Sequence, residues 1–219
     1  MKKALSILTA GCLAVSLAAC GSTAASSAAS AADSTASSAA ESTAATDTAA
    51  ADGQTYKVGI CQLVQHVALD AATQGFKDAL TEQLGDAVTF EEKNAQGDSN
   101  TCSTIINGFV SDNVDLILAN ATPALQAAQA GTNTIPVLGT SVTEYGVALG
   151  IDDFDGLVGT NISGTSDLAP LDEQAGIIKE LFPDAKTVGL LYCSAEPNSQ
   201  YQVDTVKASL EELGYTCEY

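Results

Sequence analysis

The stretch Val114-Asp115-Leu116-Ile117-Leu118-Ala119-Asn120-Ala121-Thr122-Pro123-Ala124 decides how the whole chain reads. Leu116, Ile117 and Leu118 form a short apolar run with no charge inside it, which suits a strand buried on both faces of a parallel sheet. The run stops at Asn120-Ala121-Thr122-Pro123, and an alanine-rich helical segment follows. Thr122 is expected as the N-cap and Pro123 as the first helical residue, where proline's missing N–H costs nothing. A hydroxyl and several free backbone N–H groups thus gather at the carboxyl end of a strand. That edge of an open α/β sheet is where small ligands bind, and a helix N-terminus favours an anionic group.

The flanking sequence repeats the arrangement. Strands are expected to begin near 56, 88, 114 and 135, alternating with helices over about 68–84 and 99–111, where Leu69, Phe76, Leu80, Ile105, Ile106 and Phe109 recur at helical spacing. This alternation builds right-handed βαβ units, hence a doubly wound α/β fold with helices on both faces. Four strand-end loops then share one edge: Gln62–His66, Asn94–Asp98, Ala121–Pro123 and Ser141–Thr143. They carry amides, hydroxyls and small side chains and few strong bases, a chemistry for holding a polar molecule more than for transforming it.

Beyond Gly150 the pattern changes. The segment Leu157–Asp167 sets two glycines among β-formers and suggests a crossing, with a hinge, between two lobes. A helix over about 169–182, a strand from Thr187 to Tyr192, a helix running to about Leu213 and a strand from Tyr215 are expected after it. Ser199 or Asn198 is expected to cap the second of these helices, with Gly214 as its stop. Two strands do not close a second core, so the second lobe is expected to be incomplete in a chain that is a piece of a longer one.

The amino terminus has another character. Lys2 and Lys3 precede an apolar stretch ending Leu17-Ala18-Ala19-Cys20, the layout of a secretory signal and too short to span a membrane. This ending resembles a bacterial lipobox, which implies that Cys20 is lipidated and becomes the mature N-terminus. Gly21–Gln54 is almost entirely Ala, Ser and Thr and cannot bury enough apolar surface to offset its ordering entropy. It reads as a disordered tether, with a transient alanine-rich helix as the alternative. A flexible coil of these 34 residues reaches ~30–35 Å.

Charge narrows the partners. The 219 residues carry 8 Lys and 27 Asp+Glu, a net −19. Removing Lys2 and Lys3 leaves six lysines against 27 acids, or −21. Nucleic acid and anionic lipid surfaces both require the opposite sign. Cys61, Cys102, Cys193 and Cys217 are widely spaced, which disfavours a zinc site. They read as free thiols buried as small hydrophobes, a disulfide among them being the alternative. Motifs for nucleotide phosphates or an activated serine (G-x-G-x-x-G, G-x-x-x-x-G-K-S/T, G-x-S-x-G) do not occur, so no enzyme, metal or cofactor is expected.

Five motifs in order complete the reading: Gln65-His66-Val67-Ala68-Leu69-Asp70, Asn94-Ala95-Gln96-Gly97-Asp98, Ala121-Thr122-Pro123-Ala124, Thr165-Ser166-Asp167-Leu168 and Glu196-Pro197-Asn198-Ser199. Together they resemble ABC-transporter substrate-binding lipoproteins of the type I periplasmic-binding-protein fold, over residues 56–219, with receptors for aromatic amino acids among the members. The resemblance implies two Rossmann-like lobes, lobe one over 55–160 and the crossing with the start of lobe two over 161–219. It implies an extracytoplasmic, lipid-anchored protein that hands an amino acid to an ABC permease and its ATPase. A sugar or nucleoside receptor, or a sensory receptor, of the same fold is the alternative.

The resemblance also implies a ligand-lining set: Gln62, His66, Leu69, Ala121, Thr122, Ser141, Val142 and Thr143 from lobe one, and Thr165, Ser166, Asp167, Glu196 and Asn198 from the crossing and lobe two. Val67 stands where the family has proline, and Glu144-Tyr145 where it has Asp-Pro. Thr122 with Ser141 or Thr143 offers donors to a ligand carboxylate, and Asp167 or Glu196 an acceptor for its ammonium.

Overall fold

The structure, a computed structural model, describes residues 53–219. The signal-like segment 1–20 with Cys12 and Cys20, and the tether as far as residue 52, lie outside the described residues.

Strand β1 (Tyr56–Gln62) leads through helix α1 (Val67–Leu84) and a single 3-10 turn to β2 (Val88–Asn94). Helix α2 (Ser99–Ser111), β3 (Leu116–Asn120), α3 (Thr122–Gly131) and β4 (Val137–Val142) follow. A short helix α4 (Tyr145–Leu149) then precedes β5 (Ile162–Ser166). All five strands are parallel, in the order β2-β1-β3-β4-β5. The chain steps outward from β1 to β2, returns to β3 on the other side of β1, and so opens a crevice between the carboxyl ends of β1 and β3.

Strand alternation assigns the two faces. Val58 and Ile60 of β1, with Val88 and Leu118, pack against Phe76, Leu80 and Leu84 of α1. Cys61, Ile117 and Ala119 point the other way, onto Ile105, Ile106 and Phe109 of α2 and Leu125 of α3. Gly59 is glycine because the Phe109 ring lies over it, 2.7 Å from where a Cβ would stand. The central strands are therefore buried on both sides, as the uncharged run at 116–118 predicts.

A second, smaller unit holds α5 (Leu171–Leu181), β6 (Thr187–Gly189), α6 (Pro197–Glu212) and β7 (Thr216–Glu218), with β6 and β7 parallel. Its buried centre is Ala175, Leu210 and Tyr215, and Leu191 is 98 % exposed. The strand expected as far as Tyr192 ends at Gly189: the Leu190 N–H still donates to Glu218 O at 2.7 Å and its side chain packs on the unit's centre, but no apolar surface covers Leu191.

Three local expectations are corrected. The N-cap of α3 is Ala121, and Thr122 is the first helical residue, its side chain buried and capping nothing. The N-cap of α6 is Glu196; the Ser199 hydroxyl instead accepts a hydrogen bond from Cys193 N at 2.8 Å. Helix α4 was not anticipated: Glu144 nucleates it, its carboxylate accepting from the N–H groups of Gly146 and Val147.

Candidate functional site

The crevice is built from the carboxyl ends of adjacent strands. Register places Gln62 of β1 beside Asn120 of β3, and Asn120 beside Thr140 of β4. His66 is the exposed N-cap of α1, its Nδ1 accepting from Ala68 N at 3.3 Å. Beneath it lies a buried polar network. The Thr73 hydroxyl donates to Gln62 Oε1 at 2.7 Å, and Asn120 Nδ2 donates to Thr73 Oγ1 at 2.9 Å and to Leu69 O at 2.8 Å. Gln62 Nε2 donates to Val64 O at 2.9 Å and Asp70 Oδ1 at 2.6 Å. Both Gln62 amide protons are thus committed, one to Asp70 of α1 and the other to the loop that follows β1.

Thr73→Val keeps the volume while removing the hydroxyl. Gln62 Oε1 loses its donor and Asn120 loses an acceptor, both in the interior. The expected cost is about 1–3 kcal/mol, read as a lower urea midpoint at unchanged slope. An unchanged midpoint would show that the network does not form.

Two oxygens here have no partner among the described residues: Asn120 Oδ1 and Thr122 Oγ1. Both side chains are almost wholly buried, where an unsatisfied polar atom is costly and uncommon. Ala121, between them, has φ +88°, a backbone state that L-residues seldom adopt. Its N–H donates to Thr140 O at 2.9 Å and its carbonyl accepts from Leu125 N at 3.1 Å. The Thr122 and Ala124 N–H groups lie in the first turn of α3, where the helix supplies no acceptor. An oxygen-rich, dipole-assisted corner results.

Farther along the edge, β4 and β5 slip in register between Gly139 and Val142, and Ser141 takes φ +54°. The Val142 side chain is in the core, and its carbonyl accepts from Asp167 N at 3.0 Å. Ser166 Oγ donates to Thr143 O at 2.6 Å, and the Tyr145 hydroxyl donates to Thr165 O at 3.3 Å. Burial first, and then the Asp167 charge, push the Tyr145 phenol up to about 12. β5 belongs to the first sheet, so that sheet extends past residue 160 to Ser166.

The structure therefore brings Gln62, Leu69, Ala121, Thr122, Ser141–Thr143 and Thr165–Asp167 to one edge. Glu196 and Asn198 lie at the head of α6. Asn198 Nδ2 reaches Glu196 Oε2 at 3.5 Å, and Asn198 Oδ1 is a third buried oxygen without a partner. Among the described residues, no hydrogen bond joins either of them to the first sheet. A cavity of about 520 Å³ opens beside the site, between α1 and the ends of β1 and β2, lined by Gln62, Gln65, Asp70, Asn94 and Gln96. Its walls are polar and are not the Thr122 corner; the buried unpaired oxygens are the stronger sign of a binding point. Two residues of this edge were absent from the sequence-derived set: Asn120 and Tyr145. A lone asparagine closing an apolar strand is a readable signal; the seat of Tyr145 is not, since it depends on β5.

A five-stranded parallel sheet wound 2-1-3-4-5, with polar loops on its carboxyl edge and a second α/β unit after it, defines a type I periplasmic-binding-protein fold. Residues 57–218 match the family model for ABC transporter substrate binding proteins, and the chain belongs to that family, which is one of binding proteins and not of enzymes. It is similar to the tyrosine-binding protein of Clostridioides difficile, with 40% identity over 161 residues, covering 72% of this chain and 46% of the relative. Among solved structures it resembles an ABC domain in complex with L-Trp from Streptococcus pneumonia, at 35% identity and a TM-score of 0.70, covering 75% of this chain and 56% of that one. It also resembles the ligand-free, open structure of a substrate-binding protein with adhesive properties from Clostridium difficile, at 40% identity and a TM-score of 0.58, covering 74% and 56%. The chain spans about half the length of these relatives. Substrate-binding proteins of ABC transporters are extracytoplasmic, and no helix among the described residues is long and apolar enough to cross a membrane.

Proposed function

We propose that the carboxyl edge of the first sheet receives the zwitterionic head of an amino acid, an aromatic one, for delivery to an ABC permease and its ATPase. The observation that carries this reading is the pair of buried, unpartnered oxygens on Asn120 and Thr122 beside the open N–H groups of α3. The Thr122 hydroxyl and those amides donate to a carboxylate. Ser141 and Thr143 flank them, and Asp167 supplies the acceptor for an ammonium group. Glu196 and Asn198 close on the ligand from the second lobe, and His66 and Leu69 border it from the first. Relatives that bind tyrosine and L-Trp support an aromatic side chain. Contacts to both lobes favour a closed form over an open one.

Calorimetric titration of the protein carrying both lobes, against the twenty amino acids and a panel of sugars and nucleosides, tests the reading. Tyrosine or tryptophan is expected to bind; response to sugars or nucleosides alone would overturn it. Lipidation of Cys20 is part of the same proposal, and Cys20→Ala is expected to release the exported protein from the membrane fraction.

Thr122→Val separates a binding role from a structural one. The hydroxyl has no protein partner, so its removal is expected to leave the melting temperature unchanged or slightly raised. Affinity is expected to fall about fivefold to tenfold, the loss of one hydrogen bond worth about 1 kcal/mol. A drop in stability without a drop in affinity would assign the hydroxyl to the fold.

A further inference from the structure

We propose that Cys61 and Cys102 close into an intrachain disulfide when the protein folds in an oxidising compartment, tying β1 to α2 directly beneath the ligand-facing edge. Cys61 is the next-to-last residue of β1, one position before Gln62, and Cys102 lies in the first turns of α2, just past its Asp98 cap. Both are 0 % exposed and belong to the same core cluster. In the interior each thiol is the group that most perturbs the other. The other two described cysteines are not so placed. Cys193 is exposed in the loop after β6, and Cys217 is on β7 with Val188 as its cross-strand neighbour.

Either position would accept an aliphatic side chain as readily as a thiol. The extracytoplasmic setting of the family supplies the oxidising conditions in which such pairs close.

With a glutathione-type disulfide as oxidant, the thiolate of one cysteine attacks one sulfur of the oxidant and expels a thiolate, giving a mixed disulfide. The thiolate of the other cysteine then attacks the protein sulfur of that mixed disulfide and expels the second glutathione. Two protein thiols and one oxidant disulfide become one protein disulfide and two free thiols. Both sulfurs are inaccessible in the folded protein, so the exchange belongs to folding, before the core shuts.

The test refolds the full chain, reduced and unfolded, in mixed reduced and oxidised glutathione, followed by alkylation in denaturant and tryptic digestion. Because all the cations are lysines, cleavage isolates Cys61 in segment 58–77, Cys102 in 94–179, Cys193 in 187–207 and Cys217 in 208–219. The expected major species links 58–77 to 94–179, is split by a reducing agent, and leaves Cys193 and Cys217 alkylated. Alkylation or glutathione capping of both Cys61 and Cys102 would overturn the proposal, as would a bridge from either to another cysteine. Cys61→Ala and Cys102→Ala provide a second reading: each is expected to return the remaining partner as an alkylated thiol, and a new bridge at that partner would count against the pairing.

Discussion

Gly164→Ala is expected to lower the melting temperature by roughly 8–15 °C, a loss of about 3–5 kcal/mol. Gly164 in β5 stands in register with Gly139 in β4, and its φ is +155°. A Cβ there would overlap the Gly139 carbonyl, approach Gly139 N at 2.7 Å and strike the Tyr145 hydroxyl. The first two obstacles are backbone and cannot turn aside, so the strands must part or shift. A Cβ on Gly139 would meet the same hydroxyl. The paired glycines form the seat of Tyr145, whose buried ring links α4 to the edge of the sheet through Thr165 O. Overpacking and backbone strain therefore add at one position. Gly75 is the internal control: it lies within α1 with nothing within 4 Å of its would-be Cβ. Gly75→Ala is expected to stabilise by about 0.5–1 kcal/mol, since it removes backbone freedom from the unfolded chain at no steric cost. Equal and small effects at both sites would show that β4 and β5 are not paired as described.

Gly164 also shows where sequence reasoning stops. Two glycines among β-formers at 157–167 read as a hinge between lobes, because in one dimension glycine signals only freedom. In three dimensions Gly164 is the least free residue of its strand. What makes it glycine is the backbone of Gly139 on the neighbouring strand together with the hydroxyl of Tyr145, nineteen positions earlier and placed by a helix too short to show a period. The uncharged run at 116–118 was legible because burial on both faces of a parallel sheet excludes charge at each successive position. Helix α2 was legible to its ends because Asp98 caps it, accepting from Thr101 N at 2.6 Å, and its apolar residues keep one face.

The loops of the edge were legible as loops, by residue type. Their division of labour was not. Gln62 and Asp70 spend their polar atoms on each other, while Asn120 keeps an oxygen spare. Only the register between β1 and β3 decides which of them is engaged. The contact of Cys61 with Cys102 is likewise a property of how α2 lies on β1, and no spacing announces it.

The identity of the ammonium partner is the sharpest remaining consequence of the edge geometry. Asp167→Asn, in the protein carrying both lobes, is expected to weaken amino-acid binding by roughly tenfold to a hundredfold, the loss of a charged hydrogen-bond partner worth about 1.5–3 kcal/mol. Asp167 follows the last residue of β5, where the chain leaves the first sheet, and its N–H is fixed to Val142 O. That bond belongs to the backbone and survives the substitution. Its side chain is exposed, so stability is expected to change by less than about 0.5 kcal/mol. A fall in affinity at constant stability thus reports on the ligand. The same variant carries an independent check on where the carboxylate lies. The Asp167 charge contributes to holding the Tyr145 phenol high, so spectrophotometric titration is expected to show that phenol ionising at lower pH in Asp167→Asn. Glu196→Gln is the matched comparison, since Glu196 offers the competing acceptor at the head of α6. Affinity within about threefold of the parent in Asp167→Asn, together with a tenfold loss in Glu196→Gln, would move the ammonium site to the second lobe. The reverse pattern, with the tyrosine titration shifted, ties the ligand's positive end to the exit of β5, across the edge from the α3 amides that take its negative end.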